Sequence, residues 1–416
     1  MEHTPFDVAV IGGGPAGMMA AGRAAELGAR VVLLEKNLGL GKKLLITGGG
    51  RCNIFNAEFD THRLVDKYGK KGKALFSTFS QFDVEATKEF FESRGLAIKV
   101  EAERRAFPVT ERAEDVQQTM VRYMETGGVD VRCNQTVTGF DMVEGRIAKV
   151  LLEEGEVTAK NYILATGGKS RPETGSTGDG FMWMKTLGHR VLEPDPALVP
   201  VTLKDKWVSK LAGISLKDVK VTVFQGEKKQ DSRVGKLLFT HVGLSGPVVL
   251  NMSKGIGELL KTGDVTLALD LFPKIDLGAL DQVLLDLFER GKNKMIKNNI
   301  GEIVQPRLGH VLIELAGIPA EKPLHQLTRD ERLAFARLLK AVPMQVLGLL
   351  GTDKAIVTGG GVSLKEVEFD SMRSKLCQNL FLAGDILDFD RPSGGYSLQI
   401  CWTTGFVAGS SAAESR

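Results

Sequence analysis

Phe6-Asp7-Val8-Ala9-Val10-Ile11-Gly12-Gly13-Gly14-Pro15-Ala16-Gly17, continuing through an alanine-rich run to Leu27 and Gly28 and then Arg30-Val31-Val32-Leu33-Leu34-Glu35, decides the fold. Phe6–Ile11 is the apolar run of a buried strand, the three glycines make a turn, Pro15–Leu27 reads as a helix, and Arg30–Leu34 reads as a second strand. This is one strand–helix–strand unit in about thirty residues. Gly12, Gly14 and Gly17 satisfy GxGxxG in the context that gives the motif meaning: after a strand, opening a helix, and ahead of an acidic strand end. Gly12 allows the tight turn, Gly14 lets backbone approach a pyrophosphate, and Gly17 lets the helix pack close to the strand. The positive end of that helix then faces the phosphate. Glu35 is placed to accept hydrogen bonds from a ribose diol.

The stretch after Glu35 chooses among dinucleotides. A simple dehydrogenase would continue its βαβ alternation, whereas Gly39–Asn56 is a long, basic, glycine-rich loop carrying Lys42, Lys43 and Arg51. Those cations suit phosphate or flavin carbonyl oxygens, so the expected cofactor is FAD. No second complete GxGxxG occurs. Gly359-Gly360-Gly361-Val362 lacks both the third glycine and an acidic partner. One nucleotide is therefore expected to be held permanently, with NAD(P)H as a transient electron donor.

Further along the chain, helices are expected at Val84–Arg94 and Ala113–Gly127, with a hairpin in 95–108. Strands are expected at Val129–Arg132, Thr136–Phe140, Arg146–Leu152 and Thr158–Ala165, and Gly39–Asn56 is expected to be irregular. Pro194, Pro196 and Pro200 mark a linker. Alternating β patterns follow (Val219–Phe224, Val265–Leu269), then helical ones (Leu277–Arg290, Ile300–Leu315, Arg329–Leu339). Glycine-rich α/β sequence returns with Ala355–Val357, Gly359–Gly361, Leu380–Ala383 and Gly394-Gly395 opening a last helix. The expected organisation is a discontinuous cofactor domain, 1–193 with 354–416. It is split by an inserted substrate domain, 194–353, that is β-rich over 194–272 and helical over 273–353.

At 416 residues the chain exceeds one compact core. Its 43% hydrophobic and 25% charged residues and mean hydropathy of −0.03 are ordinary for a globular protein. The net charge of +3 neither favours nor excludes an acidic partner. Cys52, Cys133, Cys377 and Cys401 form no CxxC pair, so zinc ribbons and thioredoxin-like chemistry are unsupported and no metal is expected. The start has no basic segment ahead of its apolar run, so it is not read as a signal peptide. No stretch approaches 18 uninterrupted apolar residues, so no membrane partner is expected and the location is read as cytoplasmic. Composition does not fix an oligomeric state.

Gly41-Lys42-Lys43, Thr47-Gly48-Gly49-Gly50-Arg51-Cys52-Asn53, the FTHVGLSGP stretch at 239–247, VTGGGVSL at 357–364, AGDILDFD at 383–390 and GGYSLQ at 394–399 resemble the BaiN/RdsA-type family of NAD(P)/FAD-dependent oxidoreductases. The resemblance runs from residue 8 to about residue 409, nearly the whole chain. It implies an α/β fold: a Rossmann-like, glutathione-reductase-type FAD/NAD(P)-binding domain split by an inserted β-barrel-plus-helical domain. Asp385 stands where the family generally has Glu, and Ser397 where it generally has Asn. Asp385 keeps a carboxylate for the ribityl chain, while the shorter Ser397 puts the family's direct side-chain contacts at that position in question. The family's chemistries include reduction of an RNA uridine to dihydrouridine, reduction of a steroid-type enone, and oxidation of a small aminoketone. Hydride movement through flavin N5 is common to all of them.

Combining both readings, the cofactor-binding residues are expected to be Gly12, Gly14, Pro15, Ala16, Gly17, Glu35, Lys36, Lys42, Lys43, Gly49, Arg51, Cys52, Asn53, Val137, Thr166, Gly167, Gly384, Asp385, Gly395, Tyr396, Ser397 and Leu398. Gly394-Gly395 at the start of the last helix would turn backbone N–H groups toward the flavin N1–C2=O region, where reduced flavin is negative. Cys52 reads as structural or flavin-lining, because a disulfide reductase needs a CxxxxC pair and none exists. His241 is the candidate proton donor; its other reading is a hydrogen-bonded structural histidine. Arg104 and Arg105 would meet an anionic substrate or form a solvated turn. Lys67, Lys70, Lys71 and Lys73 with Tyr68 and Phe76, and separately Lys292, Lys294 and Lys297, would track a phosphate backbone or form solvated faces. Three functions follow: an NAD(P)H-linked flavin reductase acting on a ribosomal RNA uridine, a small-molecule flavin oxidase or reductase, and a non-catalytic FAD-bearing RNA-binding protein.

Overall fold

In the computed structural model, which describes residues 5–192, 196–350 and 357–415, the opening motif forms β1 (Phe6–Ile11), α1 (Pro15–Glu26) and β2 (Val31–Leu34). β2 and the second half of β1 are buried on both faces, as central parallel strands require. α1 starts at Pro15, whose missing N–H costs nothing at the first helical position. It ends before Gly28, which takes the left-handed conformation at φ +83°. Helix α2 (Ala113–Thr126) leads into β3 (Asp130–Arg132), and β4 (Ala159–Leu164) follows a β-meander. β1 pairs in parallel with β2 (Val8 to Val31) and with β4 (Val8 to Asn161), and β2 pairs with β3.

The loop expected to be irregular carries a short helix at Lys42–Leu45, a 3-10 turn at Thr47–Gly49 and a two-residue strand at Phe55–Asn56. That strand pairs with Arg105–Pro108, which forms the expected hairpin with Ile98–Val100.

The chain divides into two compact units: Met1–Ala197 with Thr352–Arg416, and Leu198–Gly351. The second unit contains β5 (Val201–Leu203), β6 (Ser215–Gln225), β7 (Lys228–Phe239), β8 (Gly243–Ser245), α3 (Pro247–Leu260), β9 (Val265–Asp270), α4 (Leu277–Arg290), α5 (Pro306–Leu315), α6 (Arg329–Lys340) and β10 (Val342–Leu349). Its strands close a barrel in the order β5-β8-β7-β6-β9-β10 around Val221, Val223, Leu237, Leu267, Leu269 and Met344.

Two expectations change here. The β-rich and helical stretches are not segregated: α3 falls inside the first, and β10, from the second, closes the barrel by pairing with β9 and β5. β10 buries Val342, Met344 and Val346 at the period of two that a strand shows. Ile300–Leu315 is not one helix. A 3-10 turn at Ile300–Glu302 precedes α5, which begins at Pro306 because proline drives the preceding Gln305 out of the helical region.

The chain then returns to the first unit. β11 (Leu380–Leu382) pairs in parallel with β4, and short antiparallel strands at Val367–Glu368 and Arg373–Ser374 extend that edge. The finished sheet runs β11-β4-β1-β2-β3 beyond them. α7 (Tyr396–Glu414) lies against α1, with Gly405 and Gly409 so close that a Cβ on either would strike the carbonyl of Ala16 or Ala20. Pro194, Ala355 and Ile356, named above as linker and strand, lie outside the described residues. Among the described residues no helix is long and apolar enough to cross a membrane.

A candidate dinucleotide cleft

The carboxyl ends of β1, β2 and β4 and the first turn of α1 enclose a cleft of about 880 Å³, the position where open α/β sheets take ligands. Gly12, Gly14, Pro15, Ala16, Glu35, Lys36, Lys42, Lys43, Val137, Thr166, Gly167 and Asp385 line it, so twelve of the expected residues meet there. Gly12 adopts φ +106°, and a Cβ on it would sit 2.6 Å from the carbonyl oxygen of Ala165. A Cβ on Gly14 would meet nothing within 4 Å. Backbone at the helix start therefore faces open space.

The buried Glu35 carboxylate accepts hydrogen bonds from Gly13 N (2.7 Å), Asn37 N (2.8 Å) and Asn37 Nδ2 (2.7 Å), which fixes it at the end of β2. Lys36 Nζ donates to Thr177 Oγ1 (2.6 Å) and Asp179 Oδ2 (2.7 Å), tying the glycine-rich turn at 174–179 to the end of β2. Burial works against the Asp179 carboxylate, but the bonds from Lys36 and Thr177 outweigh it and hold its pKa below the usual range. Burial pushes the Lys43 amine below the usual lysine value, opposed by the Asp385 carboxylate; Lys43 Nζ lies 3.3 Å from Ser170 Oγ. Asp385 accepts from Arg391 Nη1 at 2.7 Å.

Thr166 Oγ1 is buried in the cleft wall with no partner among the described residues. An orphaned hydroxyl, an open helix start and a fixed carboxylate at the end of β2 together fit a phosphate-bridged adenine cofactor.

The other expected residues do not line this cleft. Gly17 serves packing: a Cβ there would collide with the carbonyl of Gly12. Arg51 pairs with Glu101 (2.5 Å) and Glu111 (3.2 Å), and its guanidinium lies 4.2 Å from the centre of the Phe107 ring. Cys52 is fully buried, and burial pushes its thiol up to about 12. Asn53, with its amide turned to satisfy its neighbours, donates to Phe55 O (3.0 Å) and Ala106 O (3.1 Å) and accepts from Gly395 N (3.0 Å). The Gly49–Asn53 loop is thereby joined to the start of α7.

Gly395 N is thus already engaged, and the helix donors left without intrahelical acceptors belong to Tyr396, Ser397 and Leu398. Gly384 N donates to Thr404 Oγ1 at 2.9 Å. The cleft also takes in Asn37, Gln135, Ser176, Asp179, Trp183 and Cys401, which sequence reasoning did not select. For Ser176, Asp179 and Trp183 the signal was the second glycine cluster, Gly175, Gly178 and Gly180, soon after Gly167-Gly168; Asn37, Gln135 and Cys401 carried none.

In the barrel unit, His241 is exposed on a turn held by Thr240 N to Gly243 O (2.8 Å) and by Leu203 N to Val242 O (3.0 Å). Its ring has no hydrogen-bond partner among the described residues. Arg104 pairs with Glu58. The 67–73 patch lacks its expected stacking surface: Tyr68 is fully buried and donates to Tyr396 O (3.0 Å), and Phe76 packs on His62 with ring centres 5.0 Å apart. Lys71 pairs with Asp388 at 2.6 Å. In the other patch, Lys297 pairs with Glu321 (2.8 Å) and Lys294 lies 3.9 Å from Glu302.

Residues 6–411 match the family model described as HI0933-like protein Rossmann domain. The chain is 29% identical to the 3-dehydro-bile acid delta(4,6)-reductase of Clostridium scindens, over 98% of this chain and 99% of that protein. It is 28% identical to the ribosomal RNA dihydrouridine synthase of Escherichia coli, over 97% of this chain and 96% of that one. Among solved structures, 3-ketosteroid delta1-dehydrogenase from Sterolibacterium denitrificans superposes with a TM-score of 0.55 at 12% identity, covering 100% of both chains, a likeness of fold.

Proposed function

The chain belongs to the HI0933-like family of FAD-dependent oxidoreductases, and from that premise we propose that it saturates a carbon–carbon double bond conjugated with a carbonyl, its substrate being a uridine of ribosomal RNA. As a member of a family of flavin-dependent enzymes it is an oxidoreductase, which removes the non-catalytic alternative. The observation that carries the proposal is the whole-length match to two relatives whose named substrates share this one bond.

Bound FAD supplies hydride transfer at its N5. The chain's residues divide the remaining work. Gly12, Gly14 and the start of α1 would hold the pyrophosphate, with Pro15 and Ala16 shaping that turn. Glu35 would take the ribose, Lys36 would hold the 174–179 turn beside it, and Val137 would bound the adenine end. Thr166, Gly167, Lys42, Lys43, Gly384 and Asp385 would hold the linking chain. The first N–H groups of α7, on Tyr396, Ser397 and Leu398, would stabilise negative charge on the flavin pyrimidine ring, while Gly49, Arg51, Cys52, Asn53 and Gly395 fix the loop beside that helix. Gly17 seats α1. Saturating the bond requires a hydride and a proton, and we assign the proton to His241, whose exposed and uncommitted ring is unlike that of a structural histidine. With a single dinucleotide fingerprint in the chain, NAD(P)H would dock transiently.

The test is nucleoside mass spectrometry of ribosomal RNA from cells with and without the gene, together with NAD(P)H consumption by the purified protein. Loss of one dihydrouridine on deletion is expected, and unchanged RNA would refute the reading. The match to the bile acid reductase favours a second reading, a small-molecule dienone substrate. Rapid dienone turnover with unaltered RNA would select it.

A further inference from the structure

We propose that the β6–β7 hairpin is a phosphate-tracking surface for structured RNA, carried by Lys217, Lys228, Lys229 and Lys236. The inference rests on the RNA reading above and adds where the nucleic acid is held. Charge is divided unequally along the chain. Residues 198–351 contain 22 Lys and Arg against 16 Asp and Glu, while the rest of the chain has 32 against 35. The positive excess therefore resides in the barrel unit alone.

Within that unit, many cations are neutralised. Lys220 pairs with Asp270 (3.4 Å), Arg233 with Asp231 (3.0 Å) and Lys274 with Asp218 (3.3 Å). Lys217, Lys228, Lys229 and Lys236 are exposed and have no ion-pair partner among the described residues. Glu227, also exposed, is the one acid of the hairpin turn and falls short of balancing its two lysines.

Register gives these lysines a spacing. Leu216 pairs with Leu237, which brings Lys217 and Lys236 to one end of the hairpin, while Gln225 pairs with Lys228 beside the turn. From Lys229 to Lys236 the strand rises about 23 Å at ~3.3 Å per residue, so the two cation pairs can meet phosphates well separated along a folded RNA backbone. Strand β8 pairs only with Leu238 and Phe239 of β7, which leaves the Lys228–Gly235 stretch paired with β6 alone. Lysines also guard open strand edges against pairing with other chains. Edge protection needs only a charge on the exposed stretch, however, whereas four of the hairpin's five charged residues without an ion-pair partner among the described residues are cations, in the one unit with a positive excess. Contacts of this kind position RNA by its backbone and leave sequence choice to the base that enters the reaction.

The experiment uses the FAD-loaded full chain and unmodified ribosomal RNA transcripts, with affinity measured across a salt series. For Lys217→Gln/Lys228→Gln/Lys229→Gln/Lys236→Gln the slope of log K against log salt should flatten by about 3, at ~0.7–0.9 per lost phosphate contact. The parallel variant Lys67→Gln/Lys70→Gln/Lys73→Gln should keep the wild-type slope. A four-lysine variant with the wild-type slope, in a chain that still forms dihydrouridine, overturns the surface and leaves the functional reading standing. Absence of salt-dependent RNA binding and of dihydrouridine formation in the wild type overturns both. Should the four-lysine variant aggregate, Lys228→Gln/Lys229→Gln decides. Flattening by about 1.5 supports the surface, and an unchanged slope assigns the lysines to edge protection.

Discussion

A Cβ built on Gly14 meets no atom within 4 Å, whereas one built on Gly17 runs into the carbonyl of Gly12. Two glycines of one motif therefore predict different failures. Gly14→Val should fold, purify depleted of flavin and melt like the flavin-free wild-type chain, because its side chain would occupy ligand space alone. Gly17→Val should lose thermal stability and soluble yield, because its side chain would push α1 off the buried end of β1 and open the core between them. If Gly14→Val retained full flavin absorbance, the first βαβ turn would not be the pyrophosphate site. Glu35→Ala should weaken FAD binding by roughly 1.5–3 kcal/mol through lost charge-assisted hydrogen bonds, read by titrating the apoprotein with FAD. The geometry at these positions, an open helix start, a close-packed glycine and an acid fixed at the end of β2, was legible from spacing because the motif is local. The state of Cys52 was legible only as a choice between structural and flavin-lining, because spacing does not report burial; its thiol is fully buried, and burial pushes it up to about 12. Alkylation at pH 8 should spare Cys52 in the folded chain and label it after denaturation. Labelling of the native protein would contradict its burial.

Between elements, one close junction is α7 on α1, where Gly405 and Gly409 meet the backbone at Ala16 and Ala20. A glycine inside a helix reads from sequence as weakness, at about 0.5–1 kcal/mol relative to alanine. Its use as a docking notch depends on a partner some 390 residues away in the chain and was invisible. Similarly, β10 alternates like a strand, but it follows three helices and carries Pro343, so its role in closing the barrel appears only when β5 and β9 are in place. A buried histidine makes another such junction. His189 Nδ1 lies 3.1 Å from Glu366 and its Nε2 lies 2.9 Å from Ser374, joining the segment after the helix Asp179–Thr186 to the sheet edge. Burial lowers its pKa, opposed by Glu366. The folded chain therefore binds fewer protons there than the unfolded chain, so the contribution is complete above the unfolded value of about 6.5 and is lost as pH falls from there through the lower folded value. The melting temperature should drop as pH falls below about 6.5, and His189→Gln should flatten that drop. An unaltered profile would remove His189 as its source.

At the scale of the whole molecule, both chain segments of the first unit line the dinucleotide cleft, and no residue of 198–351 is among its lining. The split was legible because glycine-rich α/β sequence stops and later resumes. Which insertion residues act chemically was not, because histidines carry no periodic signal and only the family resemblance singled out His241. Its exposed ring, on a turn fixed entirely by backbone bonds, is free to meet a substrate without supporting the fold. If holding the cofactor and donating the proton belong to different units, they should separate under mutation. His241→Gln should keep the wild-type flavin content and melting temperature, and it should keep the rate at which NAD(P)H reduces the flavin. Turnover of the double-bond substrate should fall roughly 10²–10⁴-fold, the usual contribution of a positioned acid. Stopped-flow measurement of the two half-reactions reads them independently. Loss of flavin from the variant would show that the barrel unit helps hold the cofactor, and an unchanged oxidative half-reaction would return His241 to a passive place on the surface.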